Sequence, residues 1–337
     1  VSIVVVGAFL AASTGIVGAT VVTMGLLALP TMLRNNYSPE LATGVIAASG
    51  TLGQIIPPSI VLVVLGDQLG ISVGKLFLGA LTPGVGLALL FALYLIILAR
   101  LRPDLAPALP REEREKVTDL GRRVLLVLIP PLFLILVVLG SIFAGVATPT
   151  EAGALGSMVV FIMALIGGMK WNTLKNALLE TARLTVMIFS LVWGVLIFVR
   201  FMGFAELPSI FAEWVVSLPF PAVVTMICIL LFYVILGMFM DAIGMLLLTL
   251  PVVYPAVIGL GYDPIWFGIV VVKMCEVCLI TPPIGLNCYV VAGVRPDIPL
   301  QEVFRGIGPF FVADVITLGV FLAFPAVITW LPDLMKG

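Results

Sequence analysis

Histidine is absent from this chain of 337 residues, and charge is scarce: Asp, Glu, Lys and Arg together make up 10%. Without imidazole there is no His-Glu-x-x-His motif and no mixed cysteine–histidine zinc site. Cysteine is limited to Cys228, Cys275, Cys278 and Cys288, and Cys275 and Cys278 fall in an apolar, helix-like run. They read as small, reduced core residues rather than a metal or disulfide framework. The formal net charge of −1 offers no basic field to nucleic acid. No pair of aspartates is placed on apolar helices to share a proton, which argues against an intramembrane protease. An initiator Met and a signal-like basic segment are also missing, so the reading is of a piece of a longer chain.

What the chain has in abundance is apolar surface. Hydrophobic residues make up 62% and the mean hydropathy is +1.27, far above a soluble domain. At about 20 residues per helical span the length leaves room for roughly ten crossings or re-entrant segments in an all-α integral membrane protein. Seven of the seventeen basic residues crowd into 100–123: Arg100, Arg102, Arg111, Arg114, Lys116, Arg122 and Arg123. Basic loops stay on the cytoplasmic side, which orients the chain. From there 124–146 is expected to cross outward and 152–168 to return. Lys170, Lys175 and Arg183 then mark a second cytoplasmic segment, and 184–204 crosses outward again. The acidic, amphipathic stretch 206–214 suits the outer interface, with Arg200 as a small discrepancy.

Two Pro-Pro pairs lie in matching apolar settings, at Pro57-Pro58 and Pro282-Pro283, 225 residues apart. Each proline removes a backbone donor and clashes with the preceding turn, so the pairs predict helix breaks at membrane depth. Other fragments align in the same order. Gly7-Ala8-Phe9 pairs with Gly237-Met238-Phe239, Leu29-Pro30 with Leu250-Pro251, Tyr37-Ser38-Pro39 with Tyr262-Asp263-Pro264, and Gly84-Val85-Gly86 with Gly306-Ile307-Gly308, at offsets of 230, 221, 225 and 222. Three crossings between the copies turn the second upside down, which predicts an inverted-topology repeat. Each copy starts with an apolar leg, a tip of small or polar residues and a second leg ending at Pro30 or Pro251. Legs of about 12 to 15 residues suit re-entrant helical hairpins. After the Tyr-x-Pro turn a half-helix runs to the proline pair. The chain thus divides into a first transport repeat (1–99), a cytoplasmic loop (100–123), connecting and scaffold helices (124–219) and a second, inverted repeat (220–337).

A broken helix turns carbonyls from one half and amides from the other toward the gap. With hydroxyl oxygens, such carbonyls make a hard cation site suited to sodium. The first copy offers Ser13, Thr14, Gly15 and Gly18 at its tip with Gly50, Thr51, Gly53, Pro57, Pro58 and Ser59 around its break. The second offers Asp241, Ala242 and Gly244 with Glu276, Thr281, Pro282, Pro283 and Asn287. Ser13, Thr14, Gly53, Asp241 and Thr281 are the foremost sodium candidates. The plain alternative for each Ser or Thr is a hydroxyl bonded back to its own helix. Asp241 and Glu276 stand out because carboxylates are costly in apolar spans. They could coordinate a cation or shuttle protons, although Lys273, one helical turn before Glu276, also permits a structural ion pair. Asp314 has no evident partner in the sequence.

The strings Gly50-Thr51-Leu52-Gly53-Gln54-Ile55-Ile56-Pro57-Pro58-Ser59-Ile60, Gly74-Lys75-Leu76-Phe77, Ala147-Thr148-Pro149-Thr150-Glu151-Ala152 and Leu279-Ile280-Thr281-Pro282-Pro283-Ile284-Gly285-Leu286-Asn287 resemble the large membrane subunit of tripartite ATP-independent periplasmic (TRAP) transporters. The resemblance covers essentially the whole chain, and such subunits normally start roughly 90 residues earlier. It implies an elevator-type secondary transporter of the bacterial inner membrane. There, two hairpins and two broken helices slide against a scaffold, and sodium drives uptake of an organic acid. The implied partners are a small membrane subunit and a periplasmic substrate-binding protein, with no cofactor beyond the coupling ion. A stand-alone ion- or proton-coupled organic anion transporter is the alternative. The first tip, Ala-Ala-Ser-Thr-Gly, is less serine-rich than in several members.

Overall fold

The computed structural model describes residues 1–15, 17–107 and 120–334, apart from the side chains of 120 and 122–127. Among these residues the regular elements are all helices. In chain order they are α1 (Ser2–Thr14), α2 (Val17–Leu27), α3 (Leu29–Arg34), α4 (Pro39–Ile55), α5 (Ile60–Leu69), α6 (Val73–Leu101), α7 (Leu120–Phe143) and α8 (Pro149–Ile166), followed by α9 (Trp171–Phe204), α10 (Leu207–Ser217), α11 (Ala222–Gly237), α12 (Ala242–Gly259), α13 (Pro264–Cys278), α14 (Leu286–Val294), α15 (Leu300–Ala323) and α16 (Ala326–Leu334). Seven helical stretches among the described residues are long and apolar enough to cross a membrane. The chain is an all-α, multi-pass membrane protein.

The two Tyr-x-Pro turns launch α4 and α13. Pro39 and Pro264 occupy the first helical turn, where a missing N–H costs nothing and the fixed φ favours the helix. At α13 the Asp263 carboxylate also accepts from the Trp266 N–H at 2.8 Å, which satisfies one otherwise unpaired donor. Each helix then stops short of its proline pair. Ile56 is extended (φ −80°, ψ 119°) directly before Pro57, the conformation that the following ring imposes. Beyond Cys278 the chain turns through 279–285, with Gly285 at φ 51°, before α14 begins.

A third pair, Pro130-Pro131, lies inside α7, which continues from Leu120 to Phe143. Two consecutive prolines therefore do not by themselves force a break. At the second interruption Gly285 takes the left-handed conformation (φ 51°) through which the chain re-enters a helix. The Leu, Ile and Phe flanking Pro130-Pro131 do not set it apart, since Ile55, Ile56 and Ile60 flank Pro57-Pro58. Single prolines behave likewise, since α12 runs on past Pro251 and Pro255 to Gly259. The expected end of a leg at Pro251 is thus corrected. Pro30, expected to close the other leg, instead sits at the start of the short α3. Neighbouring helices and local adjustment re-satisfy such carbonyls within a membrane.

Two further expectations shift. Arg100 belongs to the last turn of α6 and 120–123 to the start of α7, so the loop is shorter than 100–123; Arg111, Arg114 and Lys116 lie outside the described residues. Lys175 and Arg183 are not in a separate segment but inside α9, a continuous helix of 34 residues. At 1.5 Å per residue α9 is about 51 Å long, well beyond the ~30 Å hydrocarbon core, and its charged first turns have room outside it.

Burial is graded from the centre outward. Residues 41–55 of α4 and 266–278 of α13 are buried throughout, whereas α9 buries none. A helix apolar on every face belongs inside protein or lipid; α4 and α13 form the protein centre, and α9 displays Trp193, Ile197 and Phe201 outward. Both α1 and α2 pack on α4, and both α11 and α12 on α13, while the two halves of the chain interlock where α2 also packs on α14 and α12 on α5. The amphipathic α10, expected at the outer interface, lies against α12.

Candidate functional site

The first tip rests on the first interruption. Gly15 ends α1 in the left-handed region (φ 62°), and a Cβ there would come within 3.1 Å of the Pro58 carbonyl oxygen. Only glycine fits both the dihedral and the approach. Ser13 and Thr14 donate their hydroxyls to the Leu10 carbonyl at 2.9 and 2.8 Å, and Thr14 also lies 2.9 Å from the Thr20 hydroxyl. Ser13, Thr14, Gly15, Pro58 and Ser59 line one side of a cavity of about 580 Å³, whose other side is built from mostly apolar residues of α7 and α8 with Leu174, Ala177 and Thr181 of α9. Ser59 is 1% exposed, and its Oγ has no hydrogen-bond partner among the described residues. A buried hydroxyl left so is costly unless an ion, water or substrate group meets it.

Gly50 and Gly53 are used differently. Side chains added there would meet Val21 Cγ2 at 2.1 Å and Ala11 Cβ at 3.3 Å, so these glycines let α4 approach α2 and α1. Gly18 has open space around it.

At the second tip Asp241 is exposed and caps α12, its Oδ2 accepting from the Ile243 N–H at 3.1 Å. Ala242 is buried with its carbonyl 3.9 Å from Cys275 Sγ on α13, and Gly244 has nothing within 4 Å of an added Cβ. Thr281 donates back to the Val277 carbonyl at 2.7 Å, as the plain alternative anticipated. Asn287 Nδ2 reaches the Ala47 carbonyl at 3.4 Å, joining α14 to α4. Pro282, Pro283 and Ile284 are exposed, whereas Pro57 is buried. The second interruption is therefore open where the first is covered, and none of the second-copy candidates lines the cavity of the first.

Glu276 sits deeper, in a network that joins three helices. Lys273 Nζ donates to Glu276 Oε2 at 2.8 Å and to Asp314 Oδ1 on α15 at 2.6 Å. Thr51 Oγ1 lies 2.9 Å from Glu276 Oε1 and 2.8 Å from the Ala48 carbonyl. All four side chains are 0% exposed. The ion pair is real, and Asp314, without an evident partner in the sequence, has Lys273. Sequence reasoning missed this contact because it spans 41 residues, a separation that no local periodicity connects. Asp314 Oδ2 remains without a partner among the described residues. Cys275, Cys278 and Cys288 are free and buried, Cys228 free and exposed.

The family model described as "Tripartite ATP-independent periplasmic transporter, DctM component" matches residues 1–327. The chain belongs to the DctM family. This makes it a large permease subunit of TRAP type, a transporter component rather than an enzyme. Among named DctM relatives, the C4-dicarboxylate TRAP transporter large permease of Pseudomonas aeruginosa is 33% identical over 325 residues, 96% of this chain and 74% of that protein. The C4-dicarboxylate permease of Vibrio cholerae is also 33% identical, covering 97% of this chain and 76% of its own length. The sialic acid TRAP transporter large permease of the same organism is 32% identical, over 93% and 72%. DctM relatives of nearly equal likeness thus carry names with different substrates.

Proposed function

We propose that this permease subunit couples sodium entry to the import of an organic acid, with a dicarboxylate as the first substrate to try, across a bacterial inner membrane. The observation that carries the reading is the first tip and break: Ser13, Thr14 and Gly15 line one cavity together with Pro58 and Ser59, and the Ser59 hydroxyl, buried just behind that lining, has no partner among the described residues, so what the tip and break offer is hard oxygen donors. Such donors suit an alkali cation. Asp241 adds a carboxylate at the second tip, where α12 begins. The names of the first two relatives support a C4-dicarboxylate. A small membrane subunit and a periplasmic binding protein that delivers the acid complete the transporter in this reading.

The reciprocal packing of α2 on α14 and α12 on α5, beside the contacts each makes with α4 or α13 of its own half, supports two inverted repeats whose second legs bridge the two broken helices. The hairpins would be re-entrant, and the two buried half-helices would form the moving core of an elevator. The peripheral, lipid-exposed α7 to α9 are suited to the scaffold.

Uptake of radiolabelled succinate into proteoliposomes holding the full-length permease and its small subunit tests this reading. Uptake that needs both an inward sodium gradient and the binding protein is expected. Sodium-dependent uptake unaffected by omitting the binding protein would favour a stand-alone anion transporter. Uptake driven by a proton gradient alone would replace sodium as the coupling ion.

A further inference from the structure

The reading above uses neither Lys273 nor Asp314, yet both are fully buried in a protein where buried charge is expensive. Their position is specific. Thr51 and Glu276 each precede their proline pair by six residues, and they touch each other at 2.9 Å. The contact therefore links the two interrupted helices at matching heights. Lys273 extends the link from α13 to α15 through Asp314. From there α15 returns to α4 at close quarters: a Cβ on Gly44 would meet the Gly306 carbonyl oxygen at 2.2 Å. The three helices close a ring around a polar core.

We propose that Thr51, Glu276, Lys273 and Asp314 form a joint that fixes α4 against α13, so that the two interruptions shift as one unit. They are positioning residues, acting on the cation-binding backbone at 56–59 and 279–285 through the helices that precede it. Apolar packing alone would hold these helices together but would tolerate rotation or sliding between them. Hydrogen bonds of fixed direction in a dry interior do not. A buried ion network is seldom the most stabilising filling of such a space, and fixing register is its best-attested use. The proposal rests on the reading of the breaks as binding elements, and its test separates the two.

The test is hydrogen–deuterium exchange on the full-length transporter in nanodiscs, for wild type, Thr51→Val and Thr51→Ser, in choline chloride and in sodium chloride. Valine keeps the shape and removes the hydroxyl; serine restores it. In choline, Thr51→Val on α4 is expected to speed exchange of the amides within 279–288, across the second interruption and into α14, about tenfold, with Thr51→Ser close to wild type. Acceleration confined to 48–62 would overturn the joint. Should the valine variant not fold, Asp314→Asn, which leaves Lys273 one charged partner, is expected to raise exchange at both interruptions about threefold; no change at either would also overturn it. In uptake assays Thr51→Val is expected to raise the half-saturating sodium concentration about tenfold, and Thr51→Ser to restore it. Absence of any sodium protection in wild type would remove sodium from the reading, while the comparison in choline still decides the joint.

Discussion

Lys273→Met removes the only cation bonded to Glu276 and Asp314 among the described residues. Its ammonium holds two carboxylates at 2.8 and 2.6 Å in a site with no solvent exposure. Methionine fills nearly the same volume, so little of the effect comes from packing. What remains is two buried acids with no cation, Glu276 keeping only Thr51, and breaking a buried ion pair by removing one partner costs about 3–5 kcal/mol. At roughly 2–4 °C per kcal/mol for a chain of moderate size, the melting temperature should fall by about 6–20 °C. The triple variant Lys273→Met/Glu276→Gln/Asp314→Asn removes all three charges together and should recover most of that loss, because no charge is left unpaired. The buried cysteines supply the assay. Cys275, Cys278 and Cys288 are shielded in the fold, and a thiol-reactive dye reports their exposure on heating, with Cys228→Ser lowering the background. A single variant melting within about 2 °C of wild type would refute the reasoning, as would a triple variant no more stable than the single.

Gly50→Ala should lower the melting temperature, because the new methyl would lie 2.1 Å from Val21 Cγ2; overpacking of this kind costs about 1–3 kcal/mol. Since the obstacle is a side chain, Val21→Ala in the same background should restore much of the loss, and Gly18→Ala, with open space around it, should be neutral in the same melting assay. Replacing Pro57 and Pro58 with alanine should abolish uptake, whereas the same change at Pro130 and Pro131 inside the continuous α7 should leave it measurable. Asp241→Asn keeps a side-chain oxygen able to cap α12 and should preserve melting in potassium while weakening the response to sodium.

The parts of this fold legible in the sequence are those governed by local backbone chemistry. Proline at 39 and 264 starts helices, and proline pairs at 57–58 and 282–283 mark their ends, because a fixed φ and a missing N–H act within a turn. The same chemistry misleads where the environment overrides it. Pro251 lies within α12 and Pro130-Pro131 within α7, since packing against neighbours keeps those helices continuous. Charge patterning located the basic stretch after α6 but split α9 at Lys175 and Arg183, because charges at the end of a long membrane helix look like a loop. At the first tip, sequence reading put Ser13 and Thr14 beside Ser59 in the same candidate set, and they share a cavity. Gly50 and Gly53, chosen as places where backbone meets an ion, lie where backbone meets α2 and α1. Asp314 was illegible because its role depends on Lys273, an acquaintance made only when α13 and α15 pack.

The central claim, that cations are held where hairpin tips meet helix interruptions, is met most directly by the melting temperature of the full-length protein in sodium chloride against equal potassium or choline chloride. A ligand held only by the folded state stabilises by about 2.7 kcal/mol at a hundredfold excess over its dissociation constant. The expected result is a saturable rise specific to sodium, diminished in Asp241→Asn and in Ser13→Ala/Thr14→Val. Identical melting in all three salts, with stability changing instead between acidic and neutral pH, would contradict it.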